Sequence, residues 1–421
     1  MTSRSDYSSK LNIEIVADCI NDIVSMKTYD WVVVGAGITG AAVSYELVQQ
    51  GFKVLLVEKD DHLRGATRYS YGGLAYWSGT TELTRQLCEE GRAIHQTLSE
   101  ELEAETQFRE VDLVLTIAVE EDPQAVANRY GEFVTPPQLL TVAEACKIEP
   151  LLNPDAISGA LTVRHGHISP DQTNAAYLQA FKRLGGEIKI AEVTGLIQAE
   201  NRISGIQTID GDYYSNNVLI CAGGLSRQLL KSAGINVRVY FTHTEVLETP
   251  PVEIKLNTII MSAGMERFQL EADATQPELE YLWDKPGHEI VPLIIDRSAV
   301  QFLNGRMRIG QPSRILTNPN TKINPSESEF MIRQAIGEIL PDLEHLPATW
   351  SHCLVAFTHD GLPLVGKIPN YEGIHIFSGF SNPLVFIPPL AKRFAKLING
   401  EPDQIVQQCS PSRFPEIDKY K

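Results

Sequence analysis

Three glycines and one acid carry the first chemical signal in this chain. In "WVVVGAGITGAAVSYELVQQGFKVLLVEK", Gly35, Gly37 and Gly40 follow an apolar run, and Glu58 stands 18 residues beyond Gly40. Gly35 permits a tight turn, Gly37 lets the backbone approach a pyrophosphate, and Gly40 lets a helix pack close to the preceding strand. The amides and dipole at that helix N-terminus favour a bound phosphate. An acid about 20 residues further on suits a ribose hydroxyl pair. This is the chemistry of a dinucleotide held by its pyrophosphate. The spacing alone does not separate a nicotinamide from a flavin.

The elements that must position these groups are legible around them. Trp31–Val34 reads as a buried strand, 41–50 as a helix without internal Gly or Pro, and Lys53–Val57 as a second strand ending at Glu58. A Gly, Ser and Thr-rich stretch, "DDHLRGATRYSYGGLAYW", follows where a plain nicotinamide domain would continue into another strand–helix unit. A long helix is expected over 82–105, then sheet-like material at 111–119. "NNVLICAGGLS" supplies another buried strand, and residues 373–400 read as strand, glycine turn and helix. Residues 237–249 alternate like a half-buried strand. Residues 298–310 read as a hairpin turning at Asn304–Gly305. Residues 325–340 read as a helix with a serine cap that stops at Pro341. The acidic, weakly periodic stretch 265–289 is expected to be a solvated loop rather than a lid.

Composition narrows the class. The chain has 421 residues, 43% of them hydrophobic, enough for two or three structural units. Its 36 basic and 53 acidic residues give a net charge of −17, which repels phosphate backbones and argues against nucleic acid as a partner. No apolar run approaches the ~20 residues of a membrane span. The opening MTSRSDYSSK lacks the apolar core of a secretory signal. Six cysteines at 19, 88, 146, 221, 353 and 409 form no C-x-x-C pair, as expected of reduced thiols in the cytoplasm. Neither H-x-x-x-H spacing nor a paired carboxylate set occurs, so no metal is predicted. Residues 1–25 look detached, with a short helix expected over Leu11–Met26. The chain reads either as starting at Met26 or as carrying a genuine extension.

Four stations, "GAGITGAAVSYEL…LLVEK", "RGATRYSYGGL", "VLICAGGLS" and "FTHDGLPLVGKIPNYEGIHIFSGFS", resemble the D-amino-acid-oxidase-like flavoproteins, the family of glycine oxidase and sarcosine oxidase. The resemblance runs from about Lys27 to Gly400 and resolves the cofactor as FAD. It implies an α/β fold: a Rossmann-like FAD-binding domain (27–108, 165–235 and 345–400) interleaved with an α+β antiparallel-sheet substrate domain (109–164 and 236–344), with 1–26 as an extension. It also implies site roles. Glu58, with Lys59 beside it, binds the adenosine ribose. Gly35, Gly37, Ile38, Thr39 and Gly40 face the pyrophosphate. Ala66, Thr67, Tyr71, Gly72 and Gly73 line the ribityl chain and flavin. Val193 meets the adenine through its backbone, and Ala222 and Gly223 complete the cradle. Phe380, Ser381, Asn382, Pro383, Leu384 and Val385 open the last helix under the flavin pyrimidine, where a helix N-terminus stabilises the negative charge of the reduced form.

The implied activity is FAD-dependent oxidation of a small amine or amino acid by hydride transfer to flavin N5, giving an imine, with oxygen or another acceptor taking the electrons. The cationic clamp of the relatives is missing. An arginine five residues before the Asp of the "DG" motif becomes Val355, a lysine in the last helix becomes Phe386, and a tyrosine in the 298–300 region gives way to Ser298 and Ala299. Ordinary α-amino acids are therefore expected to bind poorly. Arg68 is a candidate substitute, with Phe386 and His359 as further candidates near the chemistry. Arg306 and Arg308 share a strand face and read more simply as structural or surface residues. Tyr69, Tyr71, Tyr76, Trp77, Phe357, Phe380 and Phe386 suit either an aromatic cage for an amine or ordinary core packing. Cys353, seven residues before Asp360, occupies the offset at which sarcosine oxidases join a cysteine to the flavin; a thioether, helped by His352, and plain packing both fit. A 2-hydroxyacid dehydrogenase and a non-catalytic flavin-binding module are the alternatives. The tRNA-modifying branch conflicts with the charge.

Overall fold

The computed structural model describes residues 28–414; the helix expected over 11–26 and the choice between Met1 and Met26 lie outside them. Among the described residues the strands form two sheets, of eight and eleven strands.

The first sheet is built on Tyr29–Val34. This strand runs parallel to Gly211–Ile220 on one side and Val54–Glu58 on the other. Ile374–Ser378 and Leu364–Lys367 extend one edge, and Glu187–Ile190 extends the other. A parallel sheet is covered on both faces, which is why these strands read as unbroken apolar runs. On one face the helices Ile38–Gln49, Glu82–Glu101, Pro170–Arg183 and Pro383–Ile398 bury Leu47, Leu87, Phe181 and Phe394. The hairpin Val193–Ala199/Arg202–Thr208 and Leu230 cover the other.

The second sheet pairs Arg109–Ala118 with Ile157–His167 and Tyr240–Glu248 with Thr349–Phe357, both antiparallel. The hairpin at Asn304–Gly305 forms, joining Ala299–Gln301 to Met307–Ile309 with Gly305 at φ 83°. Gly73–Leu74 and Thr349–Phe357 hydrogen-bond into this sheet, although each lies beside segments of the first. Here the chain passes between the two sheets.

Three expectations are corrected. Tyr240–Glu248 is buried at eight of nine positions rather than on one face. One side meets Leu270, Ala274 and Trp283. On the other, Phe241 abuts Gly224 at the end of the first sheet's central strand. The 265–289 stretch is not a loop: Glu266–Ala274 is an α-helix and Pro277–Leu282 a 3₁₀ turn. Its inward residues Arg267, Leu270, Glu271 and Ala274 follow helical spacing, but two of them are charged, so apolar periodicity is faint. Finally, the helix Pro325–Ile339 is capped by Asn324, whose side chain accepts the Ser326 amide, with Pro325 as its first residue.

Helices Ile38–Gln49 and Pro383–Ile398 pack together with Glu46 between them, facing Lys392 and Lys396. Burial pushes the Glu46 carboxyl up to about 7 from its ordinary 4.5, against the pull of Lys392. The native state therefore holds this proton more tightly than the unfolded chain. The associated stability is complete in mild acid and is lost as pH rises from 4.5 through about 7. A shift of this size corresponds to roughly 3 kcal/mol. Glu46→Gln should remove that loss, raising Tm above wild type in alkaline buffer and leaving it nearly equal in mild acid. Thermal melts across pH check this; parallel curves for the two proteins would refute it.

Candidate functional site

Gly35 sits at φ 102°, and a Cβ there would lie 2.7 Å from the Cys221 carbonyl oxygen. A Cβ on Gly40 would lie 1.8 Å from the Gly35 oxygen. Gly37 has φ −64°, open to any residue, so its requirement is space: a Cβ there would stand 3.1 Å from Thr67 Oγ1. The turn thus presses helix on strand and leaves one bare stretch of backbone.

Five of the described helices have twelve residues or more. Side chains of Thr81, Ser169 and Asn324 cap three of them. The other two, Ile38–Gln49 and Pro383–Ile398, start at Gly37 and Asn382 with no side-chain cap bond and no acid in the first turn. Thr67 Oγ1 takes the Ile38 amide at 3.0 Å. The Thr39 and Gly40 amides have no intrahelical acceptor. An anion is the natural partner for such an end.

Glu58 is fixed at the strand terminus. Its carboxylate accepts the Ala36 amide at 2.7 Å and the Lys59 amide at 2.9 Å, while the Lys59 side chain is exposed. Val193 follows the edge strand paired to Glu58, and the Ala191 amide donates to the Glu58 carbonyl at 2.8 Å. Ala66 and Thr67 lie in the short helix Gly65–Tyr69. Gly72, at φ 76°, passes so close to Ile168 that a Cβ would stand 2.3 Å from its carbonyl. Two buried imidazoles brace this segment. His165 accepts the Trp77 indole N–H at 2.9 Å, and His167 Nε2 lies 3.1 Å from the Tyr71 carbonyl. Burial holds both near 3, so they stay neutral. The Tyr71 hydroxyl donates to the Gly310 carbonyl, which also accepts Ser298 Oγ at 2.6 Å. Ala222 and Gly223 follow the strand Gly211–Ile220, Gly223 at φ 53° opening a 3₁₀ turn. Phe380 just before the helix Pro383–Ile398 and Leu384 and Val385 within it are buried, and His95 Nε2 contacts the Leu384 carbonyl at 2.6 Å. Asn382 donates to the Ala75 carbonyl at 3.2 Å and Ser381 to the Gly361 carbonyl at 2.7 Å.

The sequence-derived clamp candidates separate. Arg68 forms a two-pronged bond to Glu248, at 2.7 and 2.6 Å. Arg306 and Arg308 converge on the same carboxylate at 3.2 and 3.0 Å, with Asp171 beside all three guanidiniums. Burial alone would raise Glu248, but Arg68 and Arg308 draw it down to about 2. Arg308, 1% exposed, also donates to the Ser70 carbonyl. Arg68 is therefore committed to a knot that ties the Gly65–Gly73 segment to the second sheet. His359 is exposed, and its Nδ1 lies 2.8 Å from Thr275 Oγ1. Phe386 belongs to the first core. The aromatics disperse into separate clusters, Trp77 with Tyr130 and Phe133, Phe357 with Tyr240, Phe380 with Phe377, so packing accounts for most of them.

Across the paired strands, Val355 faces Thr242 and Cys353 faces Thr244. Cys353 and Tyr71 lie within electrostatic reach of each other. His352 projects to the opposite face and contacts His243 Nδ1 at 2.8 Å, so it does not serve the Cys353 thiol. Three residues that the sequence reading passed over border Cys353 or its neighbours: Arg267 and Glu271 from the 266–274 helix, and Asp296. Burial raises Asp296 to about 6. A cavity of about 270 Å³, lined in part by Ser262, Glu266 and Asp296, lies alongside and shares no residue with the predicted cofactor set.

Residues 30–397 match the family of FAD dependent oxidoreductases designated DAO. Glycine oxidase from Geobacillus kaustophilus is 26% identical over 380 residues, covering 86% of this chain and 90% of that protein. The crystal structure of glycine oxidase from the same organism superposes with a TM-score of 0.74, at 22% identity, over 92% of this chain and all of the other. L-proline dehydrogenase from P. horikoshii superposes with a TM-score of 0.70, at 20% identity, over 92% and 98% of the two chains.

The two glycine contacts separate folding from loading. Gly40→Ala puts a methyl into a carbonyl and should abolish folded, soluble protein. Gly37→Val should fold, with a near-wild-type circular dichroism spectrum, and purify without flavin absorbance. A yellow Gly37→Val protein would refute the role given to that backbone.

Proposed function

Because this chain belongs to the DAO family of FAD dependent oxidoreductases, we propose that it oxidises the C–N bond of a small amine or amino acid to an imine. The carrying observation is the pair of uncapped helix N-termini, set around a family match that spans 30–397. FAD, when bound, supplies the two-electron acceptor for the substrate C–H. The chain supplies position and charge. Glu58 is oriented by the Ala36 amide to meet ribose hydroxyls. The Thr39 and Gly40 amides take the pyrophosphate, and Ala66 to Gly73 flank the ring system. The Asn382 end of the last helix compensates charge that develops on reduction. Val355 and Cys353, on one face of their strand, and Tyr71, within electrostatic reach of Cys353, would stand on the substrate side of the bound ring. Oxygen or a carrier accepts the electrons. Among the described residues no helix is long and apolar enough to cross a membrane, and a cytoplasmic setting fits the scattered free thiols.

Cys353 is proposed to remain a thiol beside the cofactor. Burial pushes it up to about 12, and its imidazole neighbour in sequence faces away. The thiolate that a thioether requires is therefore scarce.

The purified protein should be yellow, and acid precipitation should leave all colour in the supernatant; colour pelleting with the protein would refute the free-thiol reading. Anaerobic mixing with a panel of amines, amino acids and 2-hydroxy acids should bleach the flavin with a member of the first two classes. Bleaching by hydroxy acids alone, or by nothing, would overturn the proposed reaction.

A further inference from the structure

The clamp positions of the relatives hold Val355 and Phe386 here, and Arg68, Arg306 and Arg308 are spent on Glu248 and Asp171. One arginine within electrostatic reach of Cys353 remains. Arg267 lies on the inward face of the Glu266–Ala274 helix, three and four residues before the buried Leu270 and Glu271. Only its Nε is engaged, by Glu271 at 3.1 Å. Among the described residues its two terminal nitrogens have no protein acceptor. Asp296 and Cys353 are electrostatic neighbours, yet neither forms an ion pair or hydrogen bond with it. The side chain keeps 31% of its accessible surface while the helix holds it toward these interior groups.

We propose that Arg267 is the substrate-carboxylate clamp of this enzyme, its terminal guanidinium edge binding the carboxylate of an amino-acid substrate in two-pronged fashion. This inference rests on the amine or amino-acid reading of the site and deepens it. The geometry suits the role. Glu271 anchors the guanidinium from behind and leaves the planar fork forward, the arrangement that matches a carboxylate. Thr244, 7% exposed and opposite Cys353, has a hydroxyl without a hydrogen-bond partner in the structure, a second polar group left for a ligand. Asp296, an electrostatic neighbour of Arg267 that forms no ion pair or hydrogen bond with it, supplies the negative charge for the ammonium end of the same zwitterion. The clamp has thus moved from the Thr349–Phe357 strand to a helix that covers it.

The test uses the FAD-loaded protein and a non-oxidisable pair of probes, propionate and its neutral isostere propionamide. Binding is followed by calorimetry and by perturbation of the flavin spectrum. Wild type should bind propionate at least tenfold tighter than propionamide. Arg267→Gln should lose that preference, weakening propionate roughly ten- to a hundredfold while leaving propionamide unchanged. Arg267→Lys, which keeps the charge without the fork, should recover part of it. FAD content and Tm establish that each variant is folded, and the lysine variant keeps the test valid if the glutamine variant is not. In turnover, Arg267→Gln should raise KM for an amino acid more than for the corresponding decarboxylated amine. Equal propionate affinity in wild type and Arg267→Gln, or no wild-type preference for propionate over its amide, would overturn the proposal. Failure of every amine and amino acid to bleach the flavin would instead overturn the reaction, and the propionate comparison would still decide Arg267.

Discussion

The contact between the Gly40 α-carbon and the Gly35 carbonyl fixes everything downstream of it. Backbone meets backbone with no room for a methyl, so the first helix crosses its strand at one distance. That crossing aims an uncapped helix end at the space above the strand termini. A side-chain cap would satisfy the helix and remove its affinity for an anion. The second uncapped helix, at Asn382, obeys the same logic from the other end of the sequence. In the proposed function one ligand completes the two helix ends that the protein leaves without a side-chain cap.

A buried ionic knot ties the second sheet to the helices Gly65–Tyr69 and Pro170–Arg183. Three guanidiniums share Glu248 and Asp171, and the burial of Arg308 at 1% exposure makes the knot intolerant of losing a partner. Lone charges there would be costly, which is why these arginines are structural despite their proximity to the flavin segment. A charge near a site is available to substrate only if the protein has left it unmatched, and Arg267 alone of the arginines discussed meets that condition at its outer edge.

The glycine turn, its flanking strand and helix, and Glu58 were legible because local geometry dictates them: a turn, a close approach and an acid at a set reach each demand a residue type. The hairpin at Asn304–Gly305 was legible for the same reason. The 266–274 helix was not. Its inward face carries Arg267 and Glu271 between Leu270 and Ala274, and a reading that counts apolar periodicity sees a polar loop. The i, i+3, i+4, i+7 spacing of those four residues was the available signal. Partnerships were equally hidden. Nothing in the sequence pairs Arg68 with Glu248, 180 residues away, or turns His352 away from Cys353 once strand alternation is ignored. The burial of Tyr240–Glu248 at eight of nine positions depends on what packs from both sides, which alternation within nine residues does not encode.

The bond from Arg308 to the Ser70 carbonyl has a thermodynamic consequence. Ser70 lies in the segment proposed to line the cofactor, and Arg308 belongs to the second sheet. Whatever steadies that segment also steadies the sheet to which it is tied. Free energy of cofactor association is thereby shared across the whole molecule by mass action, adding about 2.7 kcal/mol when free ligand stands at a hundred times its dissociation constant. Opening of the paired strands Tyr240–Glu248 and Thr349–Phe357 and occupancy of the proposed cofactor site would be two ends of one linked equilibrium.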